Sequence, residues 1–142
     1  IVEGTGDHCC EYMTGGIIMV LGRTGVNFAA GMSGGIAYVF DENNEFEKNC
    51  NKAMVQVSRV ICSKKTDTNN IFDKSSLLDR DDLRIKMMLK RHINYTNSKK
   101  AKNILEDFNS NLKNFYKVFP LDFREALEQS IKSKNKKSKK VL

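Results

Sequence analysis

Two stretches of this chain repeat each other 19 residues apart, and that period constrains the fold more than any other feature. Met13-Thr14-Gly15-Gly16-Ile17-Ile18-Met19-Val20-Leu21 returns as Met32-Ser33-Gly34-Gly35-Ile36-Ala37-Tyr38-Val39-Phe40. A fixed period near 20 residues predicts stacked repeats, each copy forming one coil that cannot bury its apolar face alone. Ile17 to Leu21 and Ile36 to Phe40 are short apolar runs bounded by glycines and polar turns, which is the pattern of strands. Gly15, Gly16, Gly34 and Gly35 suit corners where the backbone needs positive φ or close approach. Ile17, Val20, Ile36 and Val39 are then expected inside the stack. Two or three short strands per period suit a parallel β-helix. An ordinary hairpin or meander competes, because such solenoids usually need at least three copies.

Composition divides the chain. All nine glycines fall within the first 35 residues. Residues 1–60 carry 4 basic and 7 acidic side chains, whereas residues 61–142 carry 20 basic and 10 acidic. A glycine-rich β segment over 1–60 is therefore expected to meet a polar loop or insertion over 61–78, with Lys64 to Asn70 free of any period. Helical spacing begins near Asp79, with Leu83, Ile85, Met87, Met88, Leu89 and His92 on one broad face. Ser98 is a cap for a second helix carrying Ala101, Ile104, Leu105, Phe108, Leu112 and Phe115. Pro120 breaks that pattern, and a third helix carries Phe123, Ala126, Leu127 and Ile131. The helical segment is thus expected over 79–131. Residues 132–142 form a Lys-rich tail, with six lysines between Lys132 and Lys140, too polar to pack. The opening Ile1-Val2-Glu3-Gly4 has no initiator Met and no targeting pattern, which predicts a piece of a longer polypeptide. No apolar run approaches the length of about 20 residues that a membrane span needs.

Gly4-Thr5-Gly6-Asp7-His8-Cys9-Cys10-Glu11-Tyr12-Met13-Thr14-Gly15-Gly16, followed by Asn27-Phe28-Ala29-Ala30-Gly31-Met32-Ser33-Gly34-Gly35-Ile36-Ala37-Tyr38-Val39, resembles the C-terminal, GXGXG-type domain of the glutamate synthase large subunit. Arg91-His92-Ile93-Asn94-Tyr95-Thr96-Asn97-Ser98 resembles that family's helix-to-helix junction, and Phe115-Tyr116-Lys117-Val118-Phe119-Pro120-Leu121-Asp122-Phe123 its final segment. The resemblance spans roughly residues 2–60 and 79–128. It implies a right-handed parallel β-helix followed by helices, acting as a structural spacer between glutaminase and synthase domains. The parent enzyme it implies makes glutamate from glutamine and 2-oxoglutarate, using FMN, a 3Fe–4S cluster and NAD(P)H or ferredoxin as donor, all held upstream of this region. Its partners would be the other domains of the large subunit and an NAD(P)H-oxidising flavoprotein, separate or fused. A formylmethanofuran dehydrogenase subunit carries a related β-helix and resembles the chain less. The chain departs from the family where Cys9 replaces a common Gly, where Val26 replaces a basic residue, and over 60–78.

Other chemistry is weaker. Gly4-x-Gly6-x-x-Cys9 lacks the third glycine, the preceding strand and the following helix of a dinucleotide fingerprint. Asp7-His8-Cys9-Cys10-Glu11 gathers metal-ligating types, but adjacent cysteines in an extended chain point to opposite faces and cannot converge. Cys50 and Cys62 are isolated, so four reduced thiols are expected. A hydrolase using Cys9 or Cys10 with His8 lacks an orienting carboxylate and an oxyanion hole. His92 reads as a packed histidine at a helix end. The Lys-rich tail lacks aromatics to stack on bases, so a solvated linker is preferred to the alternative, a basic module binding nucleic acid. The expectation is a scaffold domain of glutamate synthase with no catalytic, cofactor-binding or metal residue of its own. Its compartment, cytoplasm or plastid, is left open.

Overall fold

Both copies of the repeat form strands. β1 (Thr14–Val20) and β2 (Gly34–Phe40) pair in parallel, with Ile17 opposite Ile36 and Val20 opposite Val39. The structure, a computed structural model, describes residues 1–64, 67 and 69–138, with side chains to Ser133. After β2 come α1 (Phe46–Asn49), β3 (Val55–Arg59), a 3-10 turn (Lys74–Ser76) and three helices, α2 (Asp81–Thr96), α3 (Lys99–Glu106) and α4 (Phe108–Leu112). The chain then returns as β4 (Phe115–Pro120) and ends in α5 (Leu121–Ser138).

The expected parallel β-helix is overturned. A solenoid would continue parallel stacking from β2 onto a third copy. Instead β4 runs antiparallel along β2, with Ala37 opposite Val118, and β3 runs antiparallel to β4. The strand order is β1-β2-β4-β3, an open mixed sheet that neither closes nor coils. The physical reason is local: no third copy of the repeat follows Phe40. Phe115-Tyr116-Lys117-Val118-Phe119, rich in aromatic and β-branched types, suits the free edge of β2 instead.

The sheet is covered on both faces, so β2 is buried at every residue. Ile36, Tyr38, Phe40, Phe115 and Phe119 face the helices, against Ile85, Leu89 and Ile104. Ala37, Val39, Tyr116 and Val118 face the other way, against Phe28, Ala29, Met32 and Phe46. Each fully buried side chain of this size contributes about 1.5–3 kcal/mol.

The helical segment also differs from expectation. The single helix read over Ser98 to Phe115 is two: Asp107 leaves helical geometry at φ −119°, ψ 57°. Phe115 then opens a strand, because the alternation from Phe115 to Phe119 supplies residues to both faces of the sheet. Pro120 ends β4 rather than a helix. Ser98 does cap α3, accepting the Ala101 N–H at 3.0 Å. Ile71 and Leu77, in the expected polar insertion, are buried. Residues 65, 66 and 68 of that stretch lie outside the described residues. α5 enters the Lys-rich run as far as Ser138, while residues 139–142 also lie outside them. Among the described residues no helix is long and apolar enough to cross a membrane.

Candidate functional site

The repeat extends beyond the strands into the backbone of the loops before them. Positive φ occurs at His8, Cys10, Tyr12 and Gly16, and again 19 residues on at Asn27, Ala29, Gly31 and Gly35. Left-handed geometry at a non-glycine residue costs of order 1–3 kcal/mol, so five such residues need compensation. Hydrogen bonds between the two layers supply it. His8 N–H donates to Val26 O at 2.9 Å, Ala29 N–H to Cys9 O at 2.8 Å, and Tyr12 N–H to Ala30 O at 2.8 Å. Ser33 N–H reaches Met13 O at 2.9 Å where the strands begin.

The two layers differ in what faces their glycines. A Cβ on Gly25 would lie 2.5 Å from Asp7 N, one on Gly34 2.1 Å from Thr14 O, and one on Gly35 2.6 Å from Gly16 O. These second-layer glycines are required because first-layer backbone crosses directly over them. Their counterparts Gly6, Gly15 and Gly16 have nothing within 4 Å of such a Cβ. The first layer thus carries the same glycines with open space above them.

The residues singled out from the sequence fall in several places. Gly15 and Gly16 are exposed within the start of β1, and Gly34 and Gly35 are buried at the start of β2. The β1–β2 pairing is irregular between Thr14 and Ile17. Ile36 is buried and Ile17 half-buried on the helix-facing side, whereas Val20 and Val39 are buried on the opposite side. Strand alternation therefore divides these four between two clusters. Asp7 accepts the Val26 N–H at 2.8 Å, joining the first layer to the second. His92 does not close a helix end. Its Nε2 lies 3.4 Å from Glu3 Oε1, and the Ser98 hydroxyl donates to the same carboxylate.

The cysteine pair contradicts the geometry assumed from sequence. Cys10 sits at φ +62°, so the chain turns rather than extends, and the Cys9 and Cys10 sulfurs lie 3.7 Å apart. The hydrogen bond from the Cys10 thiol pulls Cys9 down to about 6, against the opposing effect of burial; the Thr5 hydroxyl and the Cys10 N–H act the same way. The Cys10 thiol is pushed up, first by donating to Cys9 and then by burial. Thr5 Oγ1 is buried, and its hydroxyl favours the Cys9 thiolate. Burial pushes Cys50 up to about 11. The Cys62 thiol is raised by donating to Asp82. Among the described residues no three His, Cys, Asp or Glu side chains converge to hold a metal ion.

A buried ionic cluster, which the sequence reading missed, joins the sheet to the helices. Arg84 of α2 is wholly buried and donates to Tyr38 Oη at 2.7 Å, Asp81 Oδ1 at 2.9 Å, Ile71 O at 2.6 Å and Ser76 O at 2.7 Å. Lys117 of β4 donates to Leu77 O at 2.6 Å and Asp81 Oδ2 at 2.9 Å. The Tyr38 hydroxyl donates to Asp81 Oδ1 at 2.5 Å. Burial lowers Lys117 while Asp81 opposes that shift, and burial raises Tyr38 well above its ordinary value. One carboxylate thus serves two buried cations and a phenol. Arg84, Lys117, Tyr38 and Asp81 are tied to one another and to backbone carbonyls, so the cluster acts as a lock between sheet and helices. The available signal was the Asp81/Arg84 pair at i, i+3 on a helix whose neighbours are apolar.

The model of the GXGXG motif family matches residues 1–121. The glutamate synthase (NADPH) large chain of Bacillus subtilis is 45% identical over 129 residues, covering 89% of this chain and 7% of that protein. Glutamate synthase (NADH) of Schizosaccharomyces pombe is 42% identical over 134 residues, covering 94% of this chain and 6% of that protein. The chloroplastic ferredoxin-dependent glutamate synthase of Spinacia oleracea is 36% identical over 130 residues, covering 92% and 7%. The chain spans only 6–7% of the length of these curated relatives.

Proposed function

The chain belongs to the GXGXG motif family, and from that membership we propose that it is a non-catalytic structural domain of a glutamate synthase, the enzyme that forms glutamate from glutamine and 2-oxoglutarate. Its role is to hold other parts of the large subunit in place. The observation that carries this reading is the glycine asymmetry. Gly25 and Gly34 are needed because backbone lies against them, while Gly6 and Gly15 keep the same residue type with nothing above them. Another part of the parent enzyme packing closely on the first layer gives those two glycines the same reason.

In this reading the parent's FMN and 3Fe–4S cluster are held by other parts of the enzyme, as the family resemblance implies. The names of the relatives give NADPH, NADH or ferredoxin as donor.

Alanine at Gly6, Gly15, Gly25 and Gly34 tests the scaffold role in two settings. In the 142-residue chain, Gly25→Ala and Gly34→Ala overpack backbone and lose about 1–3 kcal/mol. Gly6→Ala and Gly15→Ala meet open space and are neutral, or stabilise by about 0.4–1 kcal/mol. In the whole enzyme all four lower thermal stability and glutamate formation. Wild-type stability and activity of the Gly6→Ala and Gly15→Ala enzymes would refute close packing on this face.

A further inference from the structure

We propose that Cys9 and Cys10 form a two-thiolate binding site for a single trivalent, thiophilic centre of the class of a monosubstituted arsenical. The left-handed turn at Cys10 brings the two sulfurs to 3.7 Å, and both residues are only half-buried. Both thiols are free. A direct disulfide between them is strained, since adjacent Cα atoms lie about 3.8 Å apart, below the usual range of about 4.4–6.8 Å for bridged cysteines. An atom inserted between the sulfurs enlarges the ring and relieves that strain. The pair therefore suits capture of a bridging centre better than oxidation to a disulfide.

The site takes two bonds and not three. Cys50 packs on the same apolar cluster, yet no three ligating side chains converge among the described residues. A centre with two exchangeable positions matches it. The exchange balances without a redox partner. An arsenical R–As(OH)2 meets the two thiols, the Cys9 sulfur attacks arsenic, and one hydroxide leaves with a proton as water. The Cys10 sulfur displaces the second hydroxide, which leaves with the Cys10 proton. Two As–O bonds break, two As–S bonds form, two waters depart, and arsenic stays trivalent. Cys9 is prepared for the first attack by the donors that favour its thiolate, the Cys10 thiol foremost and then the buried hydroxyl of Thr5. This inference is independent of the scaffold role, because it is read on the 142-residue chain itself.

The test uses the reduced chain and one equivalent of phenylarsine oxide. Intact mass is expected to gain one phenylarsenic group, and titratable thiols to fall by two from the four present. Excess glutathione should leave the adduct in place, and excess dithiothreitol should remove it. Cys9→Ser and Cys10→Ser should each weaken binding about 100-fold or more, since the second bond is the intramolecular one. Cys50→Ser and Cys62→Ser should bind as the parent does. Cys9→Ala, checked for a wild-type circular-dichroism spectrum, separates loss of the site from loss of the fold. An adduct that survives Cys9→Ser or Cys10→Ser, is stripped by glutathione, or vanishes in Cys50→Ser overturns the assignment.

Discussion

Removing the Asp81 carboxylate tests the ionic lock most directly. The Arg84 side chain is 0% exposed, Lys117 8% and Asp81 16%, so solvent does little to screen them. Asp81→Ala leaves Arg84 with its carbonyl partners and Lys117 with Leu77 O, but neither retains a counter-charge. Breaking one partner of a buried pair costs about 3–5 kcal/mol. Lys117 sets its own ceiling, because it can shed its proton instead. Neutralising an ordinary lysine costs about 4.6 kcal/mol at pH 7 and about 1.9 kcal/mol at pH 9. The loss in Asp81→Ala should therefore shrink with rising pH, by up to about 2.7 kcal/mol between those two values. Linkage gives the sign. Burial lowers Lys117, the unfolded chain binds more protons than the folded one, and stability rises with pH. In the parent chain Asp81 opposes the lowering, so its rise is smaller. For a domain of this size the loss at pH 7 corresponds to roughly 10–20 °C in Tm, readable by circular dichroism or urea titration. Lys117→Met is the control. It leaves Asp81 on Tyr38 and Arg84, costs about 1–3 kcal/mol for the Leu77 carbonyl it strands, and is flat from pH 7 to 9. An Asp81→Ala loss below about 1 kcal/mol, or one that does not change with pH, would refute the lock.

Two further outcomes are expected. Alkylation of Cys9 by iodoacetamide, followed by peptide mass spectrometry, should reach half its maximal rate near pH 6. Cys10→Ala should move that midpoint up towards the ordinary thiol value of about 8.5, and a midpoint that does not move contradicts the hydrogen-bond account. Acid should loosen the N-terminal segment. The Ser98 hydroxyl holds the Glu3 carboxyl below its ordinary range, so its stabilising contact is present above that range and lost as pH falls through the lowered value. Hydrogen exchange at the amides of Val2 and Leu21, which pair with Met19 O and Val2 O, should quicken on acidification. Ser98→Ala should weaken that response, leaving the smaller share from His92 and Lys100, and cost about 1 kcal/mol through the lost α3 cap.

How much was legible in the sequence depended on whether residue type recorded the constraint. The 19-residue register was legible, because the glycines and apolar runs that impose it are themselves repeated, and Ile17 lies opposite Ile36. The strand that pairs with the second copy was not. A repeat dictates how its own copies pair but leaves the far edge of β2 to whichever segment fits best, and β4 took it from beyond α2, α3 and α4. Phe115 was ambiguous locally, since it satisfies the helical spacing from Leu112 as well as the alternation to Phe119. Burial on the sheet decided the matter. The cysteine pair was hidden by a different cause. The rule that adjacent side chains diverge holds only for extended backbone, and nothing about a cysteine announces a left-handed φ. The period could have revealed it: Tyr12 falls where the second copy has Gly31, at φ +66°, and Cys10 falls two residues earlier in the same alternation. A glycine in one copy thus reports the backbone of its counterpart in the other, even where that counterpart is a residue that tolerates the conformation poorly. The same comparison of Gly6 and Gly15 with Gly25 and Gly34 is what the proposed packing of the parent enzyme on the first layer rests on.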